Sequence, residues 1–401
     1  MIEVFMDQNL AGTAESVTLP TGKRRLIFTY SHQWLADPDS FPISPELPLH
    51  SGPQEPFTWR HTPFSFDDAA PDKWGRDLIT AERRDAARRH GERLQPLDDL
   101  GLLLAVSDET RQGALRFKVN GTFLHTGGET AWVHEVKELR EAAARFEASG
   151  EIDDSVRHLI GVGSSPGGAA PKAWVRDDDG EMWLAKFPRN SDSGDVSAWE
   201  LVALRLQAQA GINTMPSHIV RLGPHESVFL TKRFDRVDNR RIPYQSFKTM
   251  FMLEEGERED YATLAQRVAS ISASPSKDAH ELFTRAAFGV MVNNIDDHMR
   301  NHGLLWKGNG WRIAPSFDVN PSARGESETP LTPEDDPGDS DLRLLVDHAD
   351  SFRMTAHQAR SELARIASCV EEWAPQAREL GIDSDEISSK AKAFAKGNTL
   401  T

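Results

Sequence analysis

Along the first fifty residues apolar and polar positions alternate with a period of two. Residues 3–7 read as a strand, Leu10-Ala11-Gly12-Thr13 as the turn into a second, and 25–30 as a further apolar, β-rich run. From 66 to 100 the pattern becomes helical. The basic stretch 82–93 within it suits an exposed helix face better than a binding patch. Short apolar segments follow at 100–106 and 114–119, and a helix at 132–149 stops at Gly150, a C-cap signal. Strands at 172–176 and 181–188 flank the turn Asp177-Asp178-Asp179-Gly180. A helix at 198–210 carries Leu201, Leu204 and Ala208 on one face and ends at Gly211, and another spans 282–293. Strands 304–306 and 311–314 enclose Lys307-Gly308-Asn309-Gly310, a hairpin with an Asn-Gly turn. Residues 324–341 form a loop rich in acid, Pro and Ser, and amphipathic helices follow from Thr355. Neither an internal repeat nor a low-complexity tract is present.

Length and charge narrow the class. The 401 residues exceed the ~250–300 at which a single core stops growing, so two or three domains are expected. Hydrophobic residues at 38% and charged residues at 27% place the chain among globular proteins, not disordered ones. With 46 Lys and Arg against 62 Asp and Glu, the net charge of -16 argues against broad non-specific nucleic-acid binding, leaving room only for a local basic patch. The longest uncharged apolar runs, 102–106 and 286–292, fall far short of the ~20 residues that cross a bilayer. The N-terminus lacks the basic start of a secretory signal, and the single Cys369 excludes an intramolecular disulfide or a cysteine-based zinc site. A cytoplasmic location is the expectation.

Three segments carry chemistry. Residues 161–172 hold four glycines among small residues, leaving backbone N–H groups able to approach an anion, although the segment fits neither common phosphate-loop pattern. An interdomain linker is the plain alternative. Lys186 lies on the second strand after this loop, where a kinase needs a cation for the nucleotide phosphates; an edge or snorkelling lysine would look the same. Glu200, read as lying in the first turn of the next helix, either answers the helix dipole or pairs with Lys186. Next comes Asn294-Ile295-Asp296-Asp297-His298-Met299-Arg300-Asn301-His302. Asp296 and Asn301 are spaced as the catalytic Asp and metal-binding Asn of kinases. His298 and His302 stand four apart as in zinc helices, but Met299 offers no general base. After the second hairpin, Phe317-Asp318 supplies the further acid that would hold Mg²⁺ against ATP. Each feature has an ordinary explanation alone; their order is that of a kinase.

The chain resembles the HipA family of serine/threonine kinases, toxins of bacterial type II toxin–antitoxin pairs. The resemblance rests on Ser165-Pro-Gly-Gly-Ala-Ala-Pro-Lys172, Ala185-Lys-Phe-Pro188, Arg233-Phe-Asp-Arg236, Asp296-Asp-His-Met-Arg-Asn301 and Ala314-Pro-Ser-Phe-Asp-Val319. At the front, Pro71-Asp-Lys-Trp-Gly-Arg76 and Val106-Ser-Asp-Glu-Thr-Arg-Gln-Gly-Ala-Leu-Arg-Phe117 match that family's N-terminal subdomain. The resemblance implies that Asp296 is the catalytic base, that Asn301 and Asp318 are Mg²⁺ ligands and that Lys186 binds phosphate. Gly167, Gly168, Ala169, Ala170, Pro171 and Lys172 would cover ATP, with His298 lining the same pocket. Lys232, Arg233 and Phe234 would form the hinge that pairs with adenine, and Asp235 would lie near the ribose. Ser165 matches the family's autophosphorylated serine, with Ser164 an adjacent competitor. Lys232 departs from a position that is often acidic, and Ala170 from one that is often polar.

The expected architecture is a two-lobed, protein-kinase-like α/β (α+β) fold. Residues 1–145 form a β-rich N-terminal subdomain, 146–235 the nucleotide-binding lobe and 236–401 a mostly helical catalytic lobe. The expected activity is transfer of phosphate from ATP to a protein Ser or Thr, with an aminoacyl-tRNA synthetase as the family precedent and growth arrest as the outcome. A HipB-like helix-turn-helix antitoxin is the expected partner, with DNA contacted through it and no membrane involved. Two rivals stand beside this reading: a catalytically silent module that binds the antitoxin, and a metal-dependent hydrolase using His298 and His302.

Overall fold

The computed structural model describes residues 1–124, 130–163, 169–238, 240–325, 327 and 329–400. The chain divides into two compact units, Met1–Ser191 with Lys232–Leu253, and Asp192–Thr231 with Glu254–Thr401.

In the first unit a six-stranded sheet has the order β4-β3-β2-β1-β5-β6, built from β1 (Ile2–Met6), β2 (Asn9–Thr18), β3 (Arg24–Tyr30), β4 (Pro53–Gln54), β5 (Leu115–Val119) and β6 (Thr122–Phe123). Period-two patterning works as expected: Ile2, Val4 and Met6 of β1 face the core while Glu3 and Phe5 do not. The turn, however, falls at Asp7-Gln8, with Asp7 at φ 53°, and Leu10 to Thr13 continue the strand. Gly12 serves close packing instead, since a Cβ there would lie 2.2 Å from the Thr29 carbonyl oxygen. A second set of strands pairs β7 (Ala131–Trp132) parallel to β8 (Lys172–Arg176), and β8 antiparallel to β9 (Met182–Lys186).

The stretch expected to be helical from 66 to 100 is broken. After a short α1 (His32–Ala36) come α2 (Phe64–Asp68), α3 (Lys73–His90) and α4 (Asp99–Ala105). Asp72 and Asp98 start α3 and α4 by accepting from Gly75 and Gly101 N–H groups, and Gly91 at φ 67° stops α3. Helix α5 (Val136–Ser149) ends at Gly150, as expected, and α6 (Asp154–Gly163) follows. The boundary placed at 145 falls inside α5, whose Phe146 packs edge-on against Trp74 at 5.4 Å.

The second unit opens with α7 (Val196–Gln209), which begins two residues before the expected start because Asp195 caps it. Leu201 and Leu204 of α7 pack on Phe229 of the hairpin β10 (Ser217–Gly223) and β11 (Glu226–Lys232). Helices α8 (Tyr261–Ile271), α9 (Pro275–Met291) and α10 (Ala356–Val370) form its helical core, with Leu264, Phe283, Phe288 and Ile366 fully buried. The Asn-Gly hairpin is present as β12 (Gly303–Trp306) and β13 (Trp311–Ile313). It is fastened to α9 by fully buried Asp278, which accepts from Arg312 Nε and Nη2 at 2.9–3.0 Å. Among the described residues no helix is long and apolar enough to cross a membrane.

Candidate active site

Helix α9 ends at Met291, and Asn293 turns the chain with φ 49°. Residues 295–298 have no regular structure, so His298 and His302 do not share a helix face. The two adjacent acids separate instead. Asp296 is 75% exposed at its side chain, with His298 Nε2 3.8 Å away. Asp297 is buried with both oxygens engaged: Tyr261 Oη donates to Oδ2 at 2.6 Å, and His302 Nε2 lies 2.8 Å from Oδ1. Burial alone would raise the Asp297 carboxyl, but His302 and the Tyr261 hydrogen bond outweigh it and hold the carboxyl below its ordinary value. The same contact pushes the Tyr261 hydroxyl well above its usual range, through burial first and then the Asp297 charge.

Asn301 closes the segment. Its Nδ2 donates to the Asp296 carbonyl at 2.8 Å and its backbone N–H to the His298 carbonyl at 2.8 Å. This leaves the amide oxygen as the atom able to meet a cation. Asp318 lies beyond β13 with φ 61°, a conformation costly for a non-glycine residue and common at functional sites. Its approach is fixed by Ser316, whose N–H donates to the Asn213 carbonyl at 2.7 Å and whose hydroxyl accepts from Gln207 Nε2 at 3.0 Å. Asn301, Asp318, Asp297, His302 and Gln207 line one small pocket. A carboxylate and an amide oxygen are hard donors suited to Mg²⁺, which takes one or two protein ligands and completes its shell with phosphate oxygens and water. Among the described residues no group of three or more His, Cys, Asp or Glu side chains could hold a metal ion.

The other expected residues lie in the first unit, except Glu200. Lys186 ends β9, half-buried, directly opposite Lys172 in the β8–β9 register. Lys172 stands on a strand and not in a loop. It begins β8, is 1% exposed, and its Nζ pairs with Asp72 Oδ2 at 2.7 Å, while Trp74 Nε1 donates to its carbonyl. Ala169 is exposed, Ala170 half-buried, and the Pro171 carbonyl accepts from Phe187 N–H at 2.9 Å. Gly161 to Gly163 finish α6 and are not part of a loop; Ser164, Ser165, Gly167 and Gly168 lie outside the described residues.

The expected hinge residues have these partners. Lys232 pairs with Glu181 at 3.2 Å, and Arg233 N–H is spent on the Met182 carbonyl at 3.0 Å. Phe234 packs on Tyr244 at 5.5 Å. Asp235 is 2% exposed: its carboxylate accepts from Arg233 and from the Gly113 N–H, with Arg236 Nη1 3.2 Å away. Glu200 is buried in the second turn of α7, not the first, and belongs to the second unit. Sequence reasoning did not single out Tyr261 or Asp72. Asp72 stands in the sequence only within the stretch Pro71-Asp-Lys-Trp, and Tyr261 follows Asp260, which the structure shows to be a helix cap.

Models of known families match both ends of the chain: the HipA N-terminal domain over residues 2–118 and the HipA-like C-terminal domain over 164–380. The Sinorhizobium fredii protein named "Putative kinase Y4mE" is 25% identical over 327 residues, covering 73% of this chain and 71% of that protein. HipA of Shewanella oneidensis MR-1, solved with HipB and its operator DNA, shares the fold with a TM-score of 0.68. Sequence identity is 16%, with 99% of this chain and 97% of that one covered. The chain belongs to the HipA family.

Proposed function

We propose that this chain is an ATP-dependent, Mg²⁺-requiring protein serine/threonine kinase and the toxin of a toxin–antitoxin pair. The observation that carries the reading is the grouping of Asn301 and Asp318 on one cavity beside exposed Asp296, whose neighbour Asp297 is fully engaged. Asp296 accepts the proton of a substrate hydroxyl. The hydroxyl oxygen then bonds to the γ-phosphorus, the bond to the β–γ bridging oxygen breaks, and ADP leaves. Asn301 and Asp318 would hold Mg²⁺, which neutralises charge on the phosphates. Lys186, with the backbone of 167–171, would serve the phosphates, paired with Glu200; 232–234 would serve adenine, and His298 would line the pocket.

The kinase name of the S. fredii relative supports the activity, and the HipB–DNA complex of the Shewanella protein supports a HipB-like antitoxin as partner. DNA contact through that partner suits a net charge of -16. The substrate class is a protein hydroxyl, with an aminoacyl-tRNA synthetase as family precedent. Comparing phosphosites in cells expressing the protein or its Asp296→Ala variant tests the reading. Ser or Thr phosphosites present only with the unaltered chain are expected; identical phosphoproteomes would overturn it.

A further inference from the structure

We propose that Asp297, Tyr261 and His302 are positioning residues that hold Asp296 and Asn301 in the geometry for phosphoryl transfer; the proposal deepens the kinase reading and rests on it. All three side chains are buried, at 6%, 3% and 6% exposure. Burying a carboxylate so close to solvent-facing Asp296 is costly unless its oxygens are satisfied, and here each has its own donor. Tyr261 also lies 3.2 Å from His302 Nε2 and meets its ring edge-on at 5.7 Å, so the three groups form a closed triangle.

That triangle is tied to the frame at two further points. The Thr329 hydroxyl donates to the Asp297 carbonyl, while Tyr261 and Ala262 N–H groups donate to the Pro330 and Leu331 carbonyls at 3.0 and 3.1 Å. The first turn of α8, the segment 329–331 and the site segment are therefore joined through Asp297. Asp296 and Asn301 flank the joined residues, one immediately before Asp297 and one immediately before His302. The 2.8 Å bond from Asn301 Nδ2 to the Asp296 carbonyl then passes the constraint between them. None of the three side chains needs to touch substrate; their effect is on where Asp296 and Asn301 sit.

Tyr261→Phe removes one hydroxyl and keeps the ring packing, and His302→Gln keeps a donor for Asp297. Tyr261→Phe is expected to lower turnover about 10- to 100-fold, because small misplacements of reacting groups cost up to that order. KM for ATP should change less than about two-fold, while His302→Gln should retain more activity than His302→Ala. Hydrogen exchange supplies a readout independent of activity: amides in 294–302 should exchange about ten-fold faster in Tyr261→Phe, with α10 unchanged. Thr355→Ala, which removes a helix cap remote from the site, is the control and should leave turnover and the 294–302 amides unaltered. Unchanged exchange over 294–302, or faster exchange over the whole second unit, overturns the proposal. Absence of phosphoryl transfer by the unaltered protein would overturn the kinase reading, while the exchange comparison would still decide the positioning role.

Discussion

Asp235 separates a buried structural role from a nucleotide contact, and Asp235→Asn is the perturbation that tests it. The carboxylate accepts from Arg233 Nη2 at 3.0 Å and from the Gly113 N–H at 2.5 Å, with Arg236 Nη1 at 3.2 Å. Burial would raise its pKa, but Arg233 and Arg236 bring it from the ordinary 3.8 down to about 2. A depression of that size corresponds to roughly 2–2.5 kcal/mol of stability at neutral pH. Because the folded value is the lower one, this contribution is complete above pH 4 and is lost as pH falls through 2. Asn keeps the shape but leaves two guanidinium groups without their counter-charge, with side chains only 2% and 15% exposed. Removing one partner of a buried pair costs about 3–5 kcal/mol, so the expected loss spans roughly 2–5 kcal/mol. Native-state hydrogen exchange on peptides from 107–117 and 232–246 measures it without assuming that both units unfold together. Mg·ATP affinity of the folded variant should stay within about two-fold of the unaltered protein, since 1.4 kcal/mol would already be ten-fold. A variant of full stability with ten-fold weaker ATP binding would refute the reasoning and restore Asp235 to the ribose.

Lys172→Met strands the buried Asp72 carboxylate and should cost about 3–5 kcal/mol by thermal or urea unfolding, while adding Asp72→Asn should recover at least half. Asp318→Ala should weaken binding of Mg·ATP by calorimetry far more than binding of ATP without metal; equal weakening would remove it as a ligand. Incubation with Mg·ATP should add one phosphate at Ser165, detected by mass spectrometry, and lower ATP affinity by placing roughly -1.5 to -2 of charge beside the triphosphate. Unmodified Ser165 after prolonged incubation, or phosphate at Ser164 alone, would contradict it.

Local signals in the chain foretold local structure well. Both hairpins stand where their turn residues put them, and Gly150 ends α5 in the left-handed conformation. The Asp7-Gln8 turn was hidden because an Asp took the positive φ, while the conspicuous Gly12 was needed for close approach to Thr29. The site was legible in its composition but not in its allegiances. Lys172 and Lys186 look alike as strand lysines, and only Asp72, a hundred residues away, distinguishes them. Asp296 and Asp297 are adjacent and chemically identical. Tyr261, 36 residues upstream, and His302 turn Asp297 inward and leave its neighbour in solvent. Asp235 is read from its resemblance alone as lying near the ribose, and one of its partners, the Gly113 N–H, lies 122 positions earlier. Long-range partners decide these cases, and periodicity carries no record of them.

The central claim is that Asp296 is the base of a phosphoryl transfer from ATP. Single-turnover transfer of γ-labelled phosphate from Mg·ATP, compared between the unaltered protein and Asp296→Asn, tests it most directly. The account predicts ATP affinity unchanged within about two-fold and transfer slowed by about 10²–10⁴-fold, the range for loss of a general base. Transfer by Asp296→Asn at the unaltered rate would contradict it.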